Sequence, residues 1–221
     1  SALPKKMSFP FSLINTPAEF SEGVSPAYNE LIPGWVLSDN IFTVMRNERK
    51  YAKRNKAKRS KFDFAAFRPE TVELMRSSRK RLQAASGKAV YTDKDIGGIG
   101  KNFMSEDSRK SGVEAYTFYI RTYALRELKK QADGGATSLD KALSTPGSAD
   151  WNYVKGWFRE EFGGADLKVC LNELKENQKT ISKEVRVSKE KDDKRGVRII
   201  PDYAAAHAPA ACRSERQHAA Q

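Results

Sequence analysis

SGVEAYTFYIRTYALRELKKQADGG, residues 111–135, is the stretch from which the rest of the chain is read. Ser111-Gly112-Val113-Glu114 has the S-x-x-E spacing of a capping box, in which a hydroxyl and a carboxylate satisfy the first free amides of a helix. Val113, Tyr116, Ile120, Ala124 and Leu128 follow at steps of three and four, so they share one face. Phe118, Tyr119, Tyr123 and Leu125 widen that face. The spacing predicts a deeply buried helix that ends at Gly134-Gly135.

The same period organises the neighbouring segments. Arg68-Pro69-Glu70 opens a helix, because proline suits the first helical position and a carboxylate favours the positive end of the dipole. Val72, Met75 and Leu82 form its inner stripe, Arg76, Arg79, Lys80 and Arg81 come late in it, and Gly87 stops it. An earlier helix is expected from about Ser38 through the basic stretch that follows, with Ile41, Val44, Met45 and Ala52 near one face. A short helix is expected over Ser148–Phe162 on Trp151, Val154 and Phe158, closed by Gly163-Gly164. The last starts near Asp166 and carries a heptad seam of Leu167, Leu171, Leu174, Gln178, Ile181 and Val185. Its outer face is charged, and the seam is expected to dock on the rest of the chain. Gly196 is read as its end, with Val197-Arg198-Ile199-Ile200 a short extended piece. Lys88–Lys110 and Ala136–Gly147 read as loops.

Five prolines between Leu3 and Trp35 remove ladder donors and favour extended backbone. Residues 1–37 are therefore expected to form an extended strap, held by Phe9, Phe11, Leu13, Ile14, Leu31, Ile32 and Trp35. Residues 204–221 are Ala-rich without a helical or strand period and read as a disordered tail. The expected fold is mainly α, about five helices joined by loops over residues 38–203, with the strap before them and the tail after.

Charge narrows the function classes. The 221 residues hold 40 Lys and Arg against 28 Asp and Glu, a net charge of +12. No apolar run approaches the roughly 18 residues of a membrane helix, so a chain without a membrane span, placed in the cytoplasm, is expected. Cys170 and Cys212 make neither a disulfide framework nor a four-ligand zinc site, and Cys170 reads as a small buried hydrophobe. Both histidines, His207 and His218, fall in the tail, which disfavours His-based acid–base chemistry. The acidic pairs Asp93/Asp95, Glu106-Asp107, Glu160-Glu161 and Asp192-Asp193 read as solvated surface. Gly97-Gly98-Ile99-Gly100-Lys101 departs from a phosphate loop at both ends, with Asp95 at the first glycine position and Asn102 after the lysine, and reads as a flexible loop. No catalytic set, metal or cofactor is expected. The start at Ser1, without an initiator Met or a leader pattern, suggests a segment of a longer chain.

RNERKYAKRNKAKRSK, residues 46–61, holds nine cations against Glu48 alone. Arg46, Arg49, Lys50, Lys53, Arg54, Lys56, Lys58 and Arg59 are the candidate anion- or phosphate-binding residues, because such a run presents a strong positive field that can track phosphates. Tyr51 is the one stacking surface within it. No helix-turn-helix, zinc finger or aromatic RNA motif accompanies it.

Leu31-Ile32-Pro33-Gly34-Trp35, the basic run, Phe62-Asp63-Phe64 with Pro69-Glu70-Thr71-Val72, the segment Gly112–Leu128, and Arg195-Gly196-Val197-Arg198-Ile199-Ile200-Pro201-Asp202-Tyr203 occur in that order. Together they resemble the C-terminal helical region of an uncharacterised bacterial family. Its larger N-terminal part is a left-handed β-helix of hexapeptide repeats, similar to sugar-nucleotide acyltransferases and nucleotidyltransferases. The resemblance implies that the strap and helices pack on that β-helix, that any transferase-like site lies mainly in it, and that a nucleotide or sugar nucleotide is a ligand. It carries no catalytic residue onto this chain. The expected function is a non-catalytic helical region of such a protein, lending basic residues to a phosphate-bearing ligand. The alternative is a free-standing basic helical protein that binds nucleic acid.

Overall fold

The structure, a computed structural model, describes residues 8–17, 22–57 and 64–198. Lys58, Arg59, Cys212, both histidines and the tail after Tyr203 lie outside the described residues. The fold is mainly helical, with eight helices and four short strands among the described residues. The chain divides into two compact units: residues 1–38 with 65–180, and residues 39–64 with 181–221.

The first unit is built on α3 (Pro69–Ala84) and α4 (Glu106–Asp133), with α5 (Leu139–Ser144), α6 (Ala149–Lys155) and α7 (Phe158–Phe162) around them. Val72, Met75 and Leu82 of α3 are buried with Tyr116, Ile120, Ala124, Leu125 and Leu128 of α4 and with Trp151, Val154 and Phe158, as the helical periods require. The strap enters this core: Phe9 and Leu31 are buried. Its strands β1 (Leu13–Asn15) and β2 (Asn29–Ile32) join β3 (Val90–Tyr91) and β4 (Asn102–Ser105) in one sheet of order β1-β2-β4-β3. β1 is antiparallel to β2, pairing Leu13 with Ile32; β2 is parallel to β4, pairing Asn29 with Asn102; β3 is antiparallel to β4.

Pro33-Gly34 is where strap and helix meet. A Cβ on Gly112 would lie 2.4 Å from Pro33 Cγ, so only glycine lets α4 approach the strap this closely. Gly34, at φ +69°, turns the chain into α1 (Trp35–Asp39), and its own missing Cβ would meet Ala115 Cβ at 3.1 Å. One and two turns further along α4, the Tyr116 hydroxyl donates to Pro10 O at 2.7 Å and the Tyr119 hydroxyl to Leu37 O at 3.2 Å.

Several boundaries differ from expectation. α4 begins at Glu106, not at the Ser111 box. Its N-cap is Ser105, which accepts from Ser108 N while the Ser105 and Ser108 hydroxyls both donate to Glu30. Lys88–Lys110 is not a plain loop, since it holds β3 and β4. Asn102, Phe103 and Met104 are all buried, so β4 shows no alternation. Gly97–Lys101 is an ordered turn: Asp93 accepts from the amides of Gly98 and Gly100 at 2.9 and 2.8 Å, and Ile96 and Ile99 are buried. Ala136–Gly147 contains α5, capped by Ser138. The Ser148–Phe162 segment splits at Gly156-Trp157, where Trp157 leaves helical geometry at φ −129°, ψ 4°.

The second unit holds α2 (Ile41–Arg54) and the part of α8 (Leu167–Val197) that begins at Ile181. The expected helix from Ser38 is interrupted at Asn40, whose side chain accepts from the Thr43 hydroxyl at 2.7 Å. Ile41 and Phe42 are the buried residues of α2, whereas Met45 and Ala52 are exposed. On α8 the buried positions are Cys170, Leu174, Ile181, Ser188 and Gly196, and Leu167 and Leu171 are half-buried, so Cys170 takes a place expected for leucine. Val197 is helical, which carries α8 past Gly196.

Candidate functional site

In the first unit four arginines near the core are committed to carboxylates, while Arg81 donates to the carbonyls of Ser8 and Gly97. Arg79 and Glu161, whose side chains are 8% and 7% exposed, form a two-pronged ion pair. Arg121 grips Glu173 with two 2.7 Å bonds and lies 4.1 Å from the Phe162 ring centroid. Arg76 pairs with Glu160 at 2.8 Å and Glu73 at 3.2 Å and covers the Trp157 ring. Arg109 binds Glu106, whose carboxyl is drawn down to about 2 by the Arg109 hydrogen bonds and, less strongly, by the Tyr91 hydroxyl.

All four acidic pairs expected to be solvated contribute a carboxylate to structure, Asp192-Asp193 through ion pairs to Arg46 and Lys189. Glu161 and Glu106 hold arginines, and Asp93 closes the glycine turn, which leaves that turn's amides no room for a phosphate. Cys170 is buried, as expected, and burial raises its thiol first, with Glu173 adding to it. Among the described residues no three His, Cys, Asp or Glu side chains converge as a metal set. Likewise no helix among them is long and apolar enough to cross a membrane.

The second unit differs in charge before any geometry is considered. It holds 18 Lys and Arg against nine Asp and Glu, a net +9 in 67 residues. The first holds 22 against 19, a net +3 in 154 residues. At 100° per residue, Arg46, Arg49, Lys50, Lys53 and Arg54 fall within a sector of about 140° of the α2 surface. Arg49, Lys53 and Arg54 are exposed, and Arg46 and Lys50 are half-buried. Lys56 is exposed just past the helix, after Asn55 turns to extended backbone.

The only ion pair of this stripe among the described residues joins Arg46 to Asp192 at 3.8 Å. One turn earlier, Phe42 N donates to the Ser188 hydroxyl at 3.3 Å. The Lys50 ammonium is pushed below its ordinary value, by the Arg46 charge first, then by loss of hydration and by Arg54. A stripe whose members repel one another is short of anions.

Two features lie outside the expected set. Lys191, Lys194, Arg195 and Arg198 line a shallow depression on α8, at helical spacing, with Lys191 paired to Asp39 at 3.0 Å. The signal for them was the seven cations between Lys183 and Arg198, masked by four interleaved acids. The other is the ring of Phe64, stacked on Tyr51. Comparison with protein-family models, with curated proteins and with solved structures finds no match to this chain.

Proposed function

We propose that this chain is a non-catalytic binding region whose second unit holds nucleic acid by its phosphates. The observation that carries the reading is the stripe Arg46, Arg49, Lys50, Lys53 and Arg54 on one side of α2, with Lys56 beyond its end and Arg46–Asp192 as its one ion pair among the described residues. A helix face of this kind neutralises phosphates and releases their counterions, so affinity falls steeply with salt. The chemistry of the first unit supports the same reading by contrast: Arg76, Arg79, Arg109 and Arg121 are occupied with carboxylates, and among its described residues no acid, base and nucleophile converge.

The test is fluorescence anisotropy of labelled oligonucleotides titrated with the chain across a salt series. Log affinity is expected to fall linearly with log salt, and each phosphate contact removed by Arg49→Ala, Lys53→Ala or Arg54→Ala to flatten the slope by about 0.7–0.9. Absence of binding at the lowest salt ends the proposal. Binding of a free nucleotide or sugar nucleotide as tightly as an oligonucleotide moves it to a small phosphate-bearing ligand.

A second reading is that these helices belong to a larger hexapeptide-repeat, transferase-like protein and pack on its β-helix. It is favoured by the outer edge of β1, which pairs with no further strand among the described residues and suits addition of one. It is favoured also by Val169, 53% exposed between half-buried Leu167 and Leu171. On this reading the isolated chain self-associates in sedimentation velocity. A monomer with one sharp unfolding transition counts against it.

A further inference from the structure

We infer that the nucleic acid held by the basic unit is single-stranded, with a base stacked on Phe64. This rests on the proposed nucleic-acid reading and narrows it. Tyr51 stands within the run of cations, and its ring lies against Phe64 with centroids 4.4 Å apart and planes 13° from parallel. Phe64 is 45% exposed and is the one aromatic among the exposed large hydrophobic residues of the described chain.

An aromatic ring left 45% exposed beside a cationic stripe keeps apolar surface that a ligand can still cover. It is suited to a ligand that brings both phosphates and flat rings. Arg54, three residues after Tyr51, shares its side of the helix, and Lys50 and Lys53 flank it in sequence. A strand whose phosphates follow these cations can place one base on Phe64, which extends the Tyr51–Phe64 pair to three layers.

Single-stranded sites in general combine a basic track with such stacking platforms. A duplex keeps its bases paired and stacked internally, so it offers Phe64 nothing without being opened.

The experiment compares the full chain with Phe64→Leu, Phe64→Trp and the double variant Arg49→Ala/Lys53→Ala. The probes are labelled oligo-dT of about 16 nucleotides and a duplex of equal length. Phe64→Leu keeps an apolar side chain but removes the π-face. It is expected to weaken oligo-dT binding about five- to hundredfold at unchanged salt slope, and to leave the duplex unaffected. Phe64→Trp is expected to retain or strengthen oligo-dT binding. The double cation variant is expected to flatten the salt slope on both probes.

Circular dichroism of each variant checks that the helices are intact. Oligo-dT binding by Phe64→Leu within twofold of the parent overturns the inference, as does parent binding that does not favour the single strand. Either result leaves the phosphate-binding proposal standing, whereas no binding of either probe at the lowest salt removes both.

Discussion

Arg79 and Arg49 are the same side chain on helices of two different units, and they serve opposite ends. Arg79 is nearly buried and clamped to Glu161, while Arg49 is exposed on a helix side shared with other cations. In the first unit arginine is part of the packing: Arg76, Arg79, Arg109 and Arg121 each meet a carboxylate, and three of these four also lie over an aromatic ring. In the second unit Arg46 meets Asp192, whereas Arg49 and Arg54 are exposed and join no ion pair among the described residues. A net charge of +12 is therefore not a property of the whole surface. Most of it belongs to about a third of the chain.

The comparison breaks most readily at the buried pair. Arg79→Ala or Glu161→Ala leaves a charge buried without its partner and is expected to lower stability by about 3–5 kcal/mol. Replacing both, as Arg79→Met with Glu161→Leu, is expected to recover most of the loss, because an apolar pair of similar volume needs no compensation. Urea unfolding followed by circular dichroism measures both. A loss below about 1 kcal/mol for the single variants would mean that the pair is hydrated and that the two units use arginine alike.

Gly112 gives the next effect. Alanine in an exposed helix interior is better than glycine by about 1 kcal/mol. Here the added Cβ runs into Pro33, so Gly112→Val is expected to destabilise by about 1–3 kcal/mol through overpacking. Pro33→Ala in the same chain should return part of it, and failure to do so would place the strain elsewhere.

The closeness of Gly112 to Pro33 was not legible in the sequence, although both lie in segments that stood out there. A glycine in an S-x-x-E pattern reads as part of a cap, and only the approach of the strap explains why it lies inside the helix. What was legible is periodic: the buried faces of α3 and α4 follow from spacing, because residues three and four apart must share a side. What was not legible is short or non-local. β3 has two residues, β4 is buried throughout, and α5 has only Leu139 and Ala142 to mark it.

The site divides in the same way. The basic run 46–61 is legible by counting, because nine of its sixteen residues are basic, five of them on α2. Phe64 carries no such signal, because its stacking on Tyr51 joins residues thirteen apart with no periodic pattern between them. The hidden role of Glu161 has the same cause: nothing between residues 79 and 161 announces that they meet.

Acid should separate the units without mutation. Glu106 titrates at about 2 when folded, below its ordinary 4.5. A depressed carboxyl contributes stability that is full above 4.5 and is lost as pH falls from there toward 2. Glu160 is lowered too, by Lys80 first and then Arg76, and Asp95 by Lys88. The first unit is therefore expected to lose stability over that range, and Glu106→Gln to flatten the loss. Thermal melts between pH 5 and pH 2.5 read it. An unchanged slope in Glu106→Gln would remove Glu106 from the account.

The smallest effect is the most telling for the second unit. Arg49 is exposed and has only like charges for neighbours on its stripe, so its removal takes away repulsion and no packing. Arg49→Ala is expected to shift the unfolding midpoint by less than about 2 °C, and at low salt the shift should be upward. Raising salt screens exposed charges within about 10 Å at 0.1 M, so the gain should vanish there. A substantial drop in the midpoint would mean that Arg49 has a structural partner. The stripe would then resemble the arginines of the first unit, and the case for a ligand on α2 would lose its ground. A midpoint that stays level while oligonucleotide affinity falls is the pattern of a residue kept for what it binds.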